Sequence, residues 1–195
     1  SGFDPEDVKR GLERLLDEGV LVHCAATEHG ALRFHHAMLQ EAAYRSQLRQ
    51  DRVRTHGRIA RVVRDRFPEL AEQQPEWLAH HLEAAGERGE ALRAWRRAAE
   101  LATRRSAHGE AMTHIRHALT LLDAFPSAAE RDREELLLRI VEGALCLERD
   151  GFGSESAGEA FDRAWSLCQE TGTEGWPRFF ALWGLWQGSS SRQVG

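Results

Sequence analysis

Ten histidines stand among 195 residues, and two pairs of them are adjacent, in "RFHHAMLQEAAYRSQL" (33–48) and "EWLAHHLEAAGERG" (76–89). Imidazole at this density invites metal ligation, acid–base catalysis near neutral pH, or hydrogen bonding inside a packed fold. Adjacency argues against a shared ion, because neighbours on a helix point about 100° apart and neighbours on a strand face opposite sides. His80 and His81 should therefore not share one metal, and His35 should point away from His36. The apolar neighbours Leu78, Leu82 and Ala85 predict one ring of the second pair beside an apolar seam and the other in solvent. Both doublets then read as packing groups. His114 and His117 are spaced i, i+3 with His108 and Glu110 nearby, a spacing that can present one ion to one helix face. Ile115 and Ala118 occupy core positions of the same stretch, so both histidines are expected to flank that core.

Other catalytic signatures are missing from the sequence. It contains no GxxxxGK[ST] phosphate loop, no acidic pair placed to hold magnesium, and no glycine-rich turn between a strand and a helix. No catalytic residue, cofactor or metal ligand is assigned to this chain, which reads as a non-enzyme. Cys24, Cys146 and Cys168 are odd in number and lack CxxC spacing, which suits a reducing compartment such as the cytoplasm. A net charge of -5 supplies no general basic field for nucleic acid. With no apolar run of about 18 residues and no signal sequence, the chain reads as soluble, with no membrane partner. It begins at Ser1, and the tail after "ALWGLW" is short and polar, as expected of a piece excised from a longer protein.

The elements that must position these residues are mostly helical. Asp4 and Pro5 are an N-cap and a first helical position, and Val8, Leu12, Leu15 and Leu16 share one face of a helix over 4–18. "VLVHCAA" and "ALRFHH" predict two short strands around the turn "TEHG". Helix plus hairpin is part of a winged helix. Beyond it, Met38, Leu39, Ala42, Ala43, Ile59, Val62, Val63 and Phe67 recur at helical spacing, and no strand pattern follows residue 68. We expect a mainly α protein: a partial winged helix with a small β-hairpin over 1–48, then tetratricopeptide-like helical hairpins forming an α-α superhelix over 49–195.

The repeat reading rests on named positions. A tetratricopeptide unit is a helical hairpin of about 34 residues in which large and small side chains alternate so that helices nest. Trp95, Ala98, Ala99 and Ala102, then Ala111, Ile115 and Ala118, fit one unit. Ile140, Gly143, Ala144 and Leu147, then Ala157, Phe161 and Ala164, fit a second. Helices near 50–66 and 75–86 should form a degenerate hairpin before them. "RFFALWGLW" (178–186) resembles the first helix of a third unit, with Gly184 at a close-approach position and its partner helix missing.

The blocks "GLERLLDEGVL", "LRFHHAMLQEAAYRSQL", "PEWLAHHLEAAGERGEALRAWRRAAELATRRSAHGEAMTHIRHALTLLDAFP" and "RDREELLLRIVEGALCLERDGFGSESAGEAFDRAWSLC" together resemble the carboxy-terminal half of large bacterial signalling ATPases. These join a STAND-type, AAA-like nucleotide-binding domain to tetratricopeptide repeats, and many carry an adenylate or guanylate cyclase domain. The resemblance implies a helical-repeat arm that binds protein partners or the parent's own ATPase domain, with ATP bound upstream of Ser1. It also places histidines beside "EAAY" and "EAAG" stretches, where an architectural role is implied. Groove positions for a partner would be Arg93, Arg97, Arg104, His114 and His117.

Two further surfaces follow from residue type. Arg49, Arg52, Arg54, Arg58, Arg61, Arg64 and Arg66 surround one helix; such a run reads first as a solvated face with i, i+4 partners, and an acidic partner surface, such as the missing ATPase domain, is the alternative. Of six tryptophans most should be core, but Trp183 and Trp186, with Phe179, Phe180 and Leu182, lack a covering helix. Phe180, Trp183 and Trp186 are therefore expected to bury against a second copy, a swapped element or the rest of the parent. The alternative function is a transcription regulator that touches DNA through the first helix. Against it, Lys9, Arg10 and Arg14 are outnumbered there by Glu6, Asp7, Glu13, Asp17 and Glu18.

Overall fold

Asp4 opens the first helix as the sequence predicts, its carboxylate accepting the Glu6 amide at 3.1 Å, with Pro5 at the first helical position. The computed structural model describes residues 4–23 and 32–191. Internal contacts divide the chain into two compact units, Ser1–Arg52 and Val53–Gly195.

In the first unit α1 (Pro5–Asp17) is followed by β1 (Leu21–His23), which pairs antiparallel with β2 (Leu32–Phe34), Val22 opposite Arg33. Val20, His35 and His36 fall outside the strands, and the predicted turn with Cys24 lies outside the described residues. α2 (Ala37–Ser46) ends before Gln47, so the helical pattern from Met38 onward is broken and does not run on as one helix. Neither α1 nor α2 buries a residue. Val8, Leu12, Leu15 and Met38 are all exposed. The apolar face of α1 is thus present but uncovered within this unit. His35 and His36 also depart from expectation: their ring centroids lie 4.3 Å apart, since both follow the end of β2 and neither obeys strand alternation.

Helices alone build the second unit. α3 (Arg49–Arg66) enters it and is followed by α4 (Pro68–Gln73), α5 (Pro75–Ala84), α6 (Arg88–Arg104), α7 (His108–Thr120), α8 (Ala128–Asp150), α9 (Glu155–Thr171) and α10 (Trp176–Ser191). Proline sets the starts of α4 and α5, where the missing N–H costs nothing. Ser127 and Ser154 cap α8 and α9 by accepting the amides of Glu130 and Ala157. Short connections fold α6 onto α7 and α8 onto α9, and α10 returns against α9. The protein is mainly α with one small β-hairpin.

The core follows the nesting pattern closely. Trp95, Ala98, Ala99, Ala102, Ala111, Ile115, Ala118, Ile140, Gly143, Leu147, Ala157, Phe161 and Ala164 are all buried, and only Ala144 of the expected set is half-exposed. Small residues let backbones approach where one large ring must fit. Phe161 of α9 is that ring. A Cβ at Gly143 of α8 would lie 2.6 Å from it, and a Cβ at Gly184 of α10 would overlap it. Two glycines on two helices thus form the hole for one phenylalanine.

Candidate interaction surfaces

Arg93 and Arg97 project from α6 into a cleft of about 450 Å³ shared with Arg64, Glu72, Leu78 and Glu90. Their charges are already engaged. Arg97 lies 3.6 Å from Glu72, Arg64 pairs with Glu90, and Arg93 lies 3.4 Å from Glu134 while its guanidinium sits 5.4 Å from the Phe125 ring centre. His114 lines a different cleft, with Glu76, Leu101, Arg105 and Glu110. Arg104, exposed at the end of α6, lines neither. The five groove residues are therefore spread over separate places.

The histidines gather on Trp95, which is 1% exposed. Its indole N–H donates to Glu83 at 3.0 Å, joining α6 to α5. His117 stacks on the indole at 4.7 Å with 15° between planes, His114 stacks at 5.2 Å, and His80 meets it edge-on at 4.7 Å. Such ring pairs add about 0.5–1.5 kcal/mol beyond area burial. Burial pushes the His114 pKa down against the opposing pull of Glu76 and Glu110, with His117 and His80 lowering it further. His81 turns the other way: its Nδ1 lies 2.8 Å from His56 Nδ1, so one ring donates and the other accepts, and Trp77 packs edge-on to it at 4.6 Å. Burial, then the His56 and His80 charges, lowers the His81 pKa. His80 is exposed and His81 half-buried, one ring toward solvent and one beside the apolar seam as expected, although each also has a ring partner. Among the described residues no group of three or more His, Cys, Asp or Glu side chains is arranged to hold a metal ion.

A charged clamp escaped the sequence reading. Glu135 of α8, 8% exposed, accepts two hydrogen bonds from Arg163 of α9, at 3.1 and 2.8 Å, and a longer one from Arg139 at 3.4 Å. The Arg163 hydrogen bond holds the Glu135 carboxyl below its ordinary range against the opposing effect of burial. Bidentate Arg–carboxylate geometry fixes the rotation of α9 on α8. Cys146 and Cys168 are buried free thiols whose pKa values burial raises, which makes them inert.

On α10 the small residues face inward. Ala181 and Gly184 are buried against the array, while Trp176, Phe179, Phe180, Leu182, Trp183 and Trp186 are exposed, Phe179 at 61% and Trp186 at 62%. Edge-to-face pairs link Trp176 to Phe180 at 6.0 Å and Phe180 to Trp183 at 6.4 Å, so these rings form a ridge along the helix. The expectation that most tryptophans are core is corrected here: Trp95 is fully buried and Trp165 half-buried beneath Arg178, but Trp77 and Trp176 are exposed, as are Trp183 and Trp186, which the sequence sets apart as uncovered. Periodicity marks a face as apolar without saying what covers it.

No helix among the described residues is long and apolar enough to cross a membrane. No family model and no solved structure matches the chain. An uncharacterized protein of Rhizobium meliloti (strain 1021) is 25% identical over 185 residues, a match covering 94% of this chain and 18% of that protein. The chain spans less than a fifth of the length of the curated relative it matches.

Proposed function

We propose that this chain is a non-catalytic protein-interaction and regulatory scaffold, the tetratricopeptide-like arm of a multidomain signalling ATPase or adenylate cyclase of the STAND class. The observation that carries the reading is the aromatic ridge of α10, seated by Ala181 and Gly184 on a nested array and open along Phe180, Trp183 and Trp186. Exposed aromatic rows of this kind supply the anchors of protein interfaces, where losing one commonly costs about 2 kcal/mol or more. The ridge takes another helix, from the same protein or from a second copy. The length of the Rhizobium meliloti relative supports placing such an arm within a large protein. ATP is bound by the parent upstream of this segment, and the compartment is the cytoplasm.

The test uses the full-length protein. It should bind ATP and hydrolyse or cyclise it, and Trp183→Asp with Trp186→Asp should change that activity or weaken self-association roughly 30-fold or more. A parent reading frame without a phosphate-binding loop removes the ATPase half of the proposal. Unchanged activity and association in the double variant removes the role of α10.

A further inference from the structure

The helix α3 is charged against the sign of the whole molecule. The chain carries -5, yet Arg49–Arg66 holds seven arginines against Asp51 and Asp65 alone. Ala60 and Val63 of this helix are buried, and Arg64 is spent on Glu90 and Asp65. Arg58, Arg61 and Arg66 have no ion-pair partner among the described residues. All three are exposed.

Beside them runs an apolar groove of about 490 Å³, lined by Ile59 and Val62 of α3, Phe67, Leu70 of α4 and Trp77 of α5, with Arg58 on its wall. Val62, Phe67 and Trp77 are exposed large apolar side chains. Thr55, Ile59, Val62 and Arg66 recur at i, i+4, i+7 and i+11, which makes one strip about 16 Å long at 1.5 Å per residue. Arg58 flanks that strip on one side. Arg66 closes its end and lines the neighbouring hollow with Phe67 and Glu69. An apolar floor with a cationic edge, of the length of three helical turns, is complementary to one kind of ligand.

We propose that the groove between α3, α4 and α5 docks an acidic amphipathic helix of a protein partner, its leucine-like face on Ile59, Val62, Phe67 and Trp77 and its carboxylates on Arg58 and Arg66. The apolar floor favours a protein helix over nucleic acid, whose phosphates would gain nothing from Val62 or Phe67. Arginine forks suit carboxylates bidentately, and partners of opposite charge associate faster as well as more selectively. This surface is separate from α10 and does not depend on whether the parent handles a nucleotide.

The probe is a fluorescein-labelled peptide of about 14 residues with leucines at i, i+3, i+4 and i+7 and glutamates on its flank, beside a twin with lysines for glutamates. Fluorescence anisotropy on the intact chain should show the glutamate peptide binding roughly tenfold or more tightly than the lysine twin, and weakening with salt. Arg58→Glu with Arg66→Glu should reverse that preference, Val62→Asp should abolish binding of both peptides, and Trp183→Asp on α10 should leave binding unchanged. All these side chains are exposed, so circular dichroism should show each variant folded. Equal binding of the twin peptides to the wild type would overturn the proposal, as would full binding by Val62→Asp. Displacement of the glutamate peptide by an equal concentration of short DNA duplex would overturn it in favour of a charge-only site. Self-association abolished by Val62→Asp would assign the groove to a second copy and overturn it equally.

Discussion

Replacing Gly184 by alanine should destabilise the helical array, although the same change in an open helix stabilises it. Alanine in a helix interior is favoured over glycine by about 0.5–1 kcal/mol. Here the new methyl would overlap the base of the Phe161 ring, which is 1% exposed and already touches the Gly143 backbone region from its other side, where a Cβ would come within 2.6 Å. Carbon atoms sit comfortably at about 3.5–4.0 Å, so the ring must retreat by about 1 Å, and nothing around it yields. Overpacking of this kind costs about 1–3 kcal/mol, leaving Gly184→Ala net destabilising by about 1–2 kcal/mol. Gly57→Ala in α3 is the control. Its Cβ would meet Ala85 at 3.6 Å, an ordinary contact, so it should stabilise by up to about 1 kcal/mol. Urea unfolding reads both as midpoint shifts at constant slope. Phe161→Leu makes room, so the double variant with Gly184→Ala should show a favourable coupling of about 1 kcal/mol. A Gly184→Ala protein stabilised as much as Gly57→Ala would refute the reasoning, because α10 would then not be seated on Phe161.

Two further outcomes follow from the buried charges. Glu135→Gln should cost about 1–3 kcal/mol, at the lower end of buried-pair losses because Arg163 is partly exposed and can rehydrate. Since the folded Glu135 pKa lies below its ordinary 4.5, its contribution is present above that value and is lost as pH falls toward the folded one. Acid titration of unfolding should show wild type losing this increment while Glu135→Gln does not. His81 and His114 have folded pKa values below 6.5, so the fold favours neutral rings, and stability falls as pH drops below that point. Urea midpoints at about pH 7.5 and 5.5 should differ less in His81→Gln and His114→Gln than in the wild type, and an unchanged difference would reject burial as the cause.

Much of the helical array was legible in local sequence because nesting depends on which residues are small and at what period they recur. Ala98, Ala102, Ala111 and Ala118 could be assigned to the core from spacing alone, as could Gly143 and Phe161, and Asp4–Pro5 marked a helix start. Backbone propensity and period act within a few residues, so they are readable without knowing the rest of the chain. The partners of polar and aromatic side chains were not readable in this way. Glu135 meets Arg163 across 28 positions and His56 meets His81 across 25, and both depend on how one helix is rotated on another. The same limit explains the tryptophans: Trp95 and Trp77 were alike expected in the core, but the arrangement of neighbouring helices buries the first and leaves the second exposed. Periodicity determined which faces are apolar. Tertiary packing decided which of them found a partner, because burial is a property of what lies opposite.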